Sequence, residues 1–232
     1  MGKEGKYIME LSSFTLQVLK NFAAVNSNIV INPGNTIMTM SEAKNVLAKA
    51  TVPETFPAEV GVYDLNELLN VLSLVDSPRV SFRDNYMMVG DVSGRTTINY
   101  YYSDVDMLTH PSKPIDMPEP DVHFTLDQTT LNNLKRAANV LGHSQLVIEP
   151  NEGSIKLTIE DQENSTSNNY SIDVDGGYNN DSFSFVLNIN NLKMIADDYQ
   201  VNISSKLISE FKSANSELVY WVALEKSSKY GE

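Results

Sequence analysis

Few residues in this chain have the types and spacing that bond-making chemistry needs. The run DVDGGYNND, residues 173–181, comes nearest, because Asp173 and Asp175 are spaced like the first two ligands of an EF-hand calcium loop. The sixth position of such a loop, which needs glycine, is Tyr178, and the twelfth, which needs a bidentate glutamate, is Ser184. A strand ending in a Gly–Gly turn explains the run better. The histidines, His110, His123 and His143, are scattered, and no HExxH, GxSxG or P-loop sequence occurs. With no cysteine there is no thiol nucleophile, disulfide framework or zinc ribbon. The acid pair Asp197–Asp198 follows a helical pattern and is expected in solvent. No metal site and no cofactor are expected, and a carboxylate- or metal-dependent hydrolase has no motif behind it.

The residues that stand out are cationic and could hold an anion. In TLNNLKRAANVL, residues 130–141, a helical wheel places Leu131, Leu134, Ala138 and Leu141 on one stripe. Asn132, Lys135, Arg136 and Asn139 share the opposite stripe, with no acid among them. Ammonium, guanidinium and amide groups suit loose contact with phosphates, which fixes position without reading sequence. A few such contacts give weak, salt-sensitive attachment that permits sliding. The competing reading is an ordinary solvated helix face.

The segment has a second copy. Thr15–Val25, TLQVLKNFAAV, aligns with Thr130–Val140 at an offset of 115 residues, and six of eleven positions are identical. Gln17, Lys20, Asn21 and Ala24 fall on the equivalent polar face. Each copy leads into a β-branched run, NSNIVI (26–31) and GHSQLVI (142–148). A second pair follows: YDLNELLNVLSLV (63–75), with Asp64 as N-cap, and LNINNLKMIADD (187–198), with Asn188 in that role and Lys193 on its surface. Each half thus reads as strand, helix, several strands, helix and more strands. The fold class is α+β with two similar domains, 1–110 and 111–232. Between them lies a connector over about 103–124, stiffened by prolines at 111, 114, 118 and 120.

The bulk numbers agree with a two-domain chain. The 232 residues and 41% hydrophobic content support a sizeable core. The formal charge is −13; residues 1–110 carry 8 Lys+Arg against 12 Asp+Glu, net −4, and the remainder 9 against 18, net −9. Neither half is a generally basic nucleic-acid binder, so acid-free basic faces are a local exception. No secretory signal pattern and no run of eighteen apolar residues is seen, and no membrane partner is expected. The Asn-x-Ser/Thr matches at Asn164, Asn169, Asn180 and Asn202 therefore carry little weight.

The stretches VLKNFAAVNSNIVI, IMTMSEAKNVLAKATV, VYDLNELLNVLSLV, INNLKMIADDYQV and YWVALE, in this order, resemble the sliding clamps of T-even-type bacteriophages, which are DNA polymerase processivity factors. The resemblance runs through essentially the whole chain. It implies the DNA-clamp fold, with antiparallel sheets and two helices in each domain, and a homotrimeric ring whose helices line a hole for duplex DNA. It further implies tethering of the polymerase, loading by an ATP-driven clamp loader, no active site, and action in the cytoplasm of the infected host. The DNA-facing residues it implies are Gln17, Lys20, Asn132, Lys135, Arg136 and Lys193, with Lys3 and Lys6 joining them if the N-terminus lies on that surface. A helix over 64–75 with no base and with Glu67 departs from a uniformly positive lining. A pocket for partner peptides near the connector is implied at Met40, Ile115, Met117, Trp221, Val222 and Leu224. Against this, alternation in LVYWVAL must bury one of each neighbouring pair. An acidic viral scaffold protein with a duplicated domain remains the alternative.

Overall fold

The computed structural model describes residues 8–111, 115–164, 166–180 and 182–231. Lys3 and Lys6 lie outside the described residues, as does part of the Pro-rich connector. The chain divides into two compact units, Met1–Ser112 and Lys113–Glu232.

In the first unit the order is β1 (Ile8–Glu10), α1 (Ser13–Val25), β2 (Ile29–Ile31), β3 (Gly34–Met40), β4 (Val46–Phe56), β5 (Val60–Val62), α2 (Leu65–Ser73), β6 (Arg79–Phe82), β7 (Tyr86–Gly90) and β8 (Thr97–Tyr101). A 3-10 turn follows at Val105–Met107. The strands pair antiparallel as β1-β6-β7-β8, β3–β4 and β2–β5. An ion pair between Arg79 Nε and Glu10 Oε1 at 2.7 Å ties β1 to β6. β4 contains Pro53, which has no N–H for a ladder. It sits where the β3–β4 register slips, between the Thr36–Thr51 and Gly34–Phe56 pairs. Helices α1 and α2 pack on each other, and they bury Val18, Leu19 and Phe22 and Leu65, Leu68 and Leu72, all at 3% exposure or less.

The second unit begins with β9 (Val122–Leu126) and α3 (Gln128–Leu141). There follow β10 (Gln145–Asn151), β11 (Ser154–Glu160), β12 (Tyr170–Val174), β13 (Gly176–Tyr178), β14 (Phe183–Asn188), β15 (Tyr199–Ser204), β16 (Ile208–Ser213), β17 (Leu218–Ala223) and β18 (Lys229–Tyr230). One antiparallel sheet has the order β12-β11-β10-β14-β18; β13, β9, β15, β16 and β17 run side by side in another. Strand β9 starts inside the stretch read as connector. Its clean alternation, with Val122, Phe124 and Leu126 buried and His123 and Thr125 exposed, marks it as a sheet strand with one wet face. The Gly–Gly turn expected after Asp175 is strand β13. Gly176 lies so close to β9 that a Cβ there would meet the His123 carbonyl at 2.5 Å.

The duplication is visible in the caps. Ser12 and Asp127, 115 residues apart, are the N-caps of α1 and α3 and accept from the backbone N–H of Thr15 and Thr130 at 3.2 and 2.7 Å. Gly142 ends α3 in the left-handed conformation, φ 73°. The fourth helix expected over 188–198 is absent: Asn188 caps a single 3-10 turn, Ile189–Asn191. Two buried tyrosines hold the rest of the segment in another conformation. Tyr220 Oη accepts from Ile195 N–H at 3.2 Å and Tyr199 Oη donates to the Ile195 carbonyl at 2.5 Å, satisfying groups that a helix would have paired internally. Leu192 and Met194 then fill the core from an irregular backbone. No helix among the described residues is long and apolar enough to cross a membrane.

Candidate nucleic-acid interface

The faces of α1 and α3 are set by what each buries. Helix α1 buries Thr15, Val18, Leu19 and Phe22; α3 buries Thr130, Leu131, Leu134 and Ala138. Under the 115-residue offset the second set corresponds to positions 15, 16, 19 and 23. At about 100° per residue, α3 is therefore rolled about 60° on its own core compared with α1. The cause lies in the sequence: position 18 is valine in the first copy and Asn133 in the second, and position 22 is phenylalanine against Ala137. The apolar stripe shifts accordingly.

This roll separates residues that the repeat had made equivalent. Lys20 stands exposed on the outer face of α1 beside the exposed Gln17. Lys135 is rolled to the flank of α3 and is half-buried, and burial pushes its ammonium below the ordinary lysine range. Arg136 and Asn132 take the outermost positions and are exposed. The shared stripe expected for Asn132, Lys135, Arg136 and Asn139 thus splits, with Lys135 on one flank.

Two concavities sit beside the lysines. In the second unit Lys135 and Lys193 line a recess of about 230 Å³ with Asn139, Asn190, Ile189 and Leu192. In the first unit Lys20 lies on a groove of about 480 Å³ between α1 and α2, lined by Leu16, Leu69, Leu72, Asn66 and Asn70. Arg136 borders a third, of about 390 Å³, with Val140, Leu141, Asn169 and Tyr170. Sequence reading finds the cations from their opposition to the leucine stripe. It misses Asn66, Asn70 and Asn190 because they belong to other elements.

Carboxylates fix the N-termini of both helices and were also missed. Glu54, delivered by the slipped end of β4, accepts from the Ser12 N–H and the Thr15 hydroxyl at the start of α1. Burial alone would raise its carboxyl; the bonds from Thr15 and Ser12 outweigh that and hold it below the ordinary value. Asp198 Oδ1 accepts from Gln128 N–H at 2.8 Å at the start of α3. Its neighbour Asp197 binds the Ser213 hydroxyl and the Asn215 amide; Asp198 is exposed as expected and Asp197 half-buried, and both also anchor structure. Glu54 and Asp198 each lie at the positive end of a helix dipole. Asp173 accepts from Asn151 Nδ2 at 2.9 Å.

The peptide-pocket candidates differ in access. Val222 is fully buried and its carbonyl accepts from the Ser209 hydroxyl at 2.8 Å. Trp221 is 8% exposed, with Nε1 donating to Glu210 at 3.1 Å, and Leu224 is 6% exposed. In the second unit, half-buried Ile115 and Met117 precede β9; in the first, half-buried Met40 ends β3. On burial, Met40, Ile115 and Met117 offer a partner more surface than Trp221, Val222 or Leu224.

The chain matches two family profiles in tandem. Residues 11–104 match the DNA polymerase processivity factor family and residues 123–226 match the C-terminal part of the gp45 sliding clamp. The sliding clamp of Vibrio phage KVP40 is 30% identical over 94% of this chain and 99% of its own length. That of Escherichia phage RB69 is 31% identical over 96% and 99%, and that of Enterobacteria phage T4 is 30% identical over the same shares. Among solved structures, proliferating cellular nuclear antigen from Entamoeba histolytica superposes with a TM-score of 0.68 at 13% identity, covering 95% of this chain and 99% of that one. A Helicobacter pylori beta clamp bound to a DNA ligase peptide gives 0.67 at 10% identity, covering 97% and 67%. With the duplicated α/β units already evident, these matches establish that the chain has the clamp fold and belongs to the sliding-clamp family of DNA polymerase processivity factors.

Proposed function

We propose that three copies of this chain form a ring around duplex DNA, opened and closed by an ATP-driven clamp loader, and that the ring tethers the replicative polymerase of a phage in the infected host cell. The observation that carries this reading is the pair of acid-free helices. Across α1 and α3 there is no Asp or Glu, whereas the whole chain has 30 acids against 17 bases. Cations and amides on such faces attract phosphate without reading bases, and the acidic remainder repels DNA from every other surface. The protein does no chemistry of its own in this reading; it holds a partner near the template. Gln17, Lys20, Asn132, Lys135, Arg136 and Lys193 meet the duplex, and partner peptides draw on Met40, Ile115, Met117, Trp221, Val222 and Leu224, of which the first three are the more accessible.

A three-fold ring needs a head-to-tail contact between two different surfaces, because a self-complementary patch would give two-fold pairs. Free sheet edges are suited to it. Strand β8 ends the four-stranded sheet of the first unit and β12 ends a five-stranded sheet of the second; each is five residues long, while β1 and β18 at the other edges have three and two. Replacing Asn99 or Ile172 by proline is expected to break the trimer, read by light scattering. The functional test is charge reversal at Lys135 and Arg136. Processive primer extension with the cognate polymerase and loader should fall while the trimer stays intact, and unchanged extension counts against the DNA path.

A further inference from the structure

The geometry points to a phosphate seat in the second unit that the first unit lacks: Lys135 and Lys193 close on one backbone phosphodiester of the duplex, whereas Lys20 makes a passing contact. The inference rests on the helix faces meeting DNA, as proposed above, and adds that the two halves of the chain hold it unequally.

The seat follows from two departures from the internal repeat. The roll of α3 brings Lys135 from the outer face to the flank. The replacement of a fourth helix by one 3-10 turn leaves room beside that flank, about 230 Å³, and Lys193 borders it from the irregular segment after the turn. Asn139 and Asn190 add amide donors, and among the described residues no acid lines the recess. Ile189 and Leu192, 4% and 1% exposed, form an apolar floor, so charge there is weakly screened. Two ammonium groups with amides around a small recess suit a tetrahedral oxyanion. Lys135 supports the assignment, because a half-dehydrated ammonium regains stabilisation when an anion enters. The first unit has neither departure. Its groove is about 480 Å³, with Lys20 the sole cation lining it among the described residues, against Leu16, Leu69 and Leu72, and α2 carries the exposed Glu67.

In a ring of three copies, three holding contacts then alternate with three weak ones, and the second unit sets the friction on sliding. The test is a titration of the full chain, carrying 13C at lysine Cε, with inorganic phosphate and separately with a short blunt DNA duplex. The Lys135 and Lys193 signals should move together and saturate with both probes, while Lys20 drifts without saturating. K135Q and K193Q should each weaken the saturable binding about tenfold, the size expected for a hydrogen bond to a charged group, and K20Q should weaken it much less than either. Lys193 is exposed, so K193Q keeps the test intact if K135Q disturbs folding. Lys135 and Lys193 moving independently, or Lys20 saturating alongside them, would overturn the seat. Saturation by inorganic phosphate with no response to duplex would overturn its assignment to DNA. The titration reads each chain whether or not a ring assembles, so failure of the trimer shows separately in the mass.

Discussion

Lys135 is held where its ammonium is only partly hydrated, and its charge therefore opposes folding. Because its folded value lies below the unfolded 10.5, the penalty is full at neutral pH, fades as pH rises through the folded value, and is gone above 10.5. K135Q is expected to raise the melting temperature at neutral pH while weakening DNA contact, a cost of function paid in stability; calorimetry at pH 7 and above pH 10.5 checks the sign. Glu54 has the opposite sense. Its carboxyl is held below 4.5, so its contribution is complete above that pH and is lost as pH falls through the folded value. E54Q should lower the neutral melting temperature and flatten the acid limb of the stability curve. The sequence makes the type of these residues legible but not their orientation. A helical wheel finds Lys135 opposite Leu131 and Leu134, yet a roll of about 60° suffices to move it to a flank. Glu54 is 39 residues from Thr15 in sequence, so no local pattern could announce that contact.

At the scale of elements, both repeated helices begin on a side-chain cap that accepts from the third residue onward. Ser12→Ala and Asp127→Ala should each cost about 1 kcal/mol, measured by denaturant unfolding; equal melting of variant and parent would mean that the caps contribute nothing. The cap positions and most strands can be read from alternation and polar punctuation. The lost fourth helix could not. Its sequence has a helical stripe and a good N-cap, but hydroxyls from Tyr199 and Tyr220, on strands distant in sequence or beyond its end, take the Ile195 backbone. Tyr220→Phe removes the partner of the part-buried Ile195 N–H and should destabilise the second unit by about 1 kcal/mol. A variant as stable as the parent would show that another group takes over that bond. Strand β9 was hidden for a different reason: the prolines before it dominate the composition of the connector, while the strand itself is only five residues long.

The whole molecule repeats one plan twice and then breaks the repetition at the helix faces proposed to meet DNA. The internal offset of 115 residues and the paired caps describe the same duplication, and the two family matches fall one on each half. An acidic exterior with basic helix faces is consistent with a ring that slides and does not adhere. A protein held by topology is released when its track acquires an end; one held by charge is released by salt. The deciding measurement is therefore retention of the loaded protein on circular duplex before and after the circle is cut, at moderate and high salt. The ring account predicts retention on the closed circle at both salt concentrations and rapid loss on linearisation. Salt-driven release from the intact circle, or equal retention on circle and linear duplex, would contradict it.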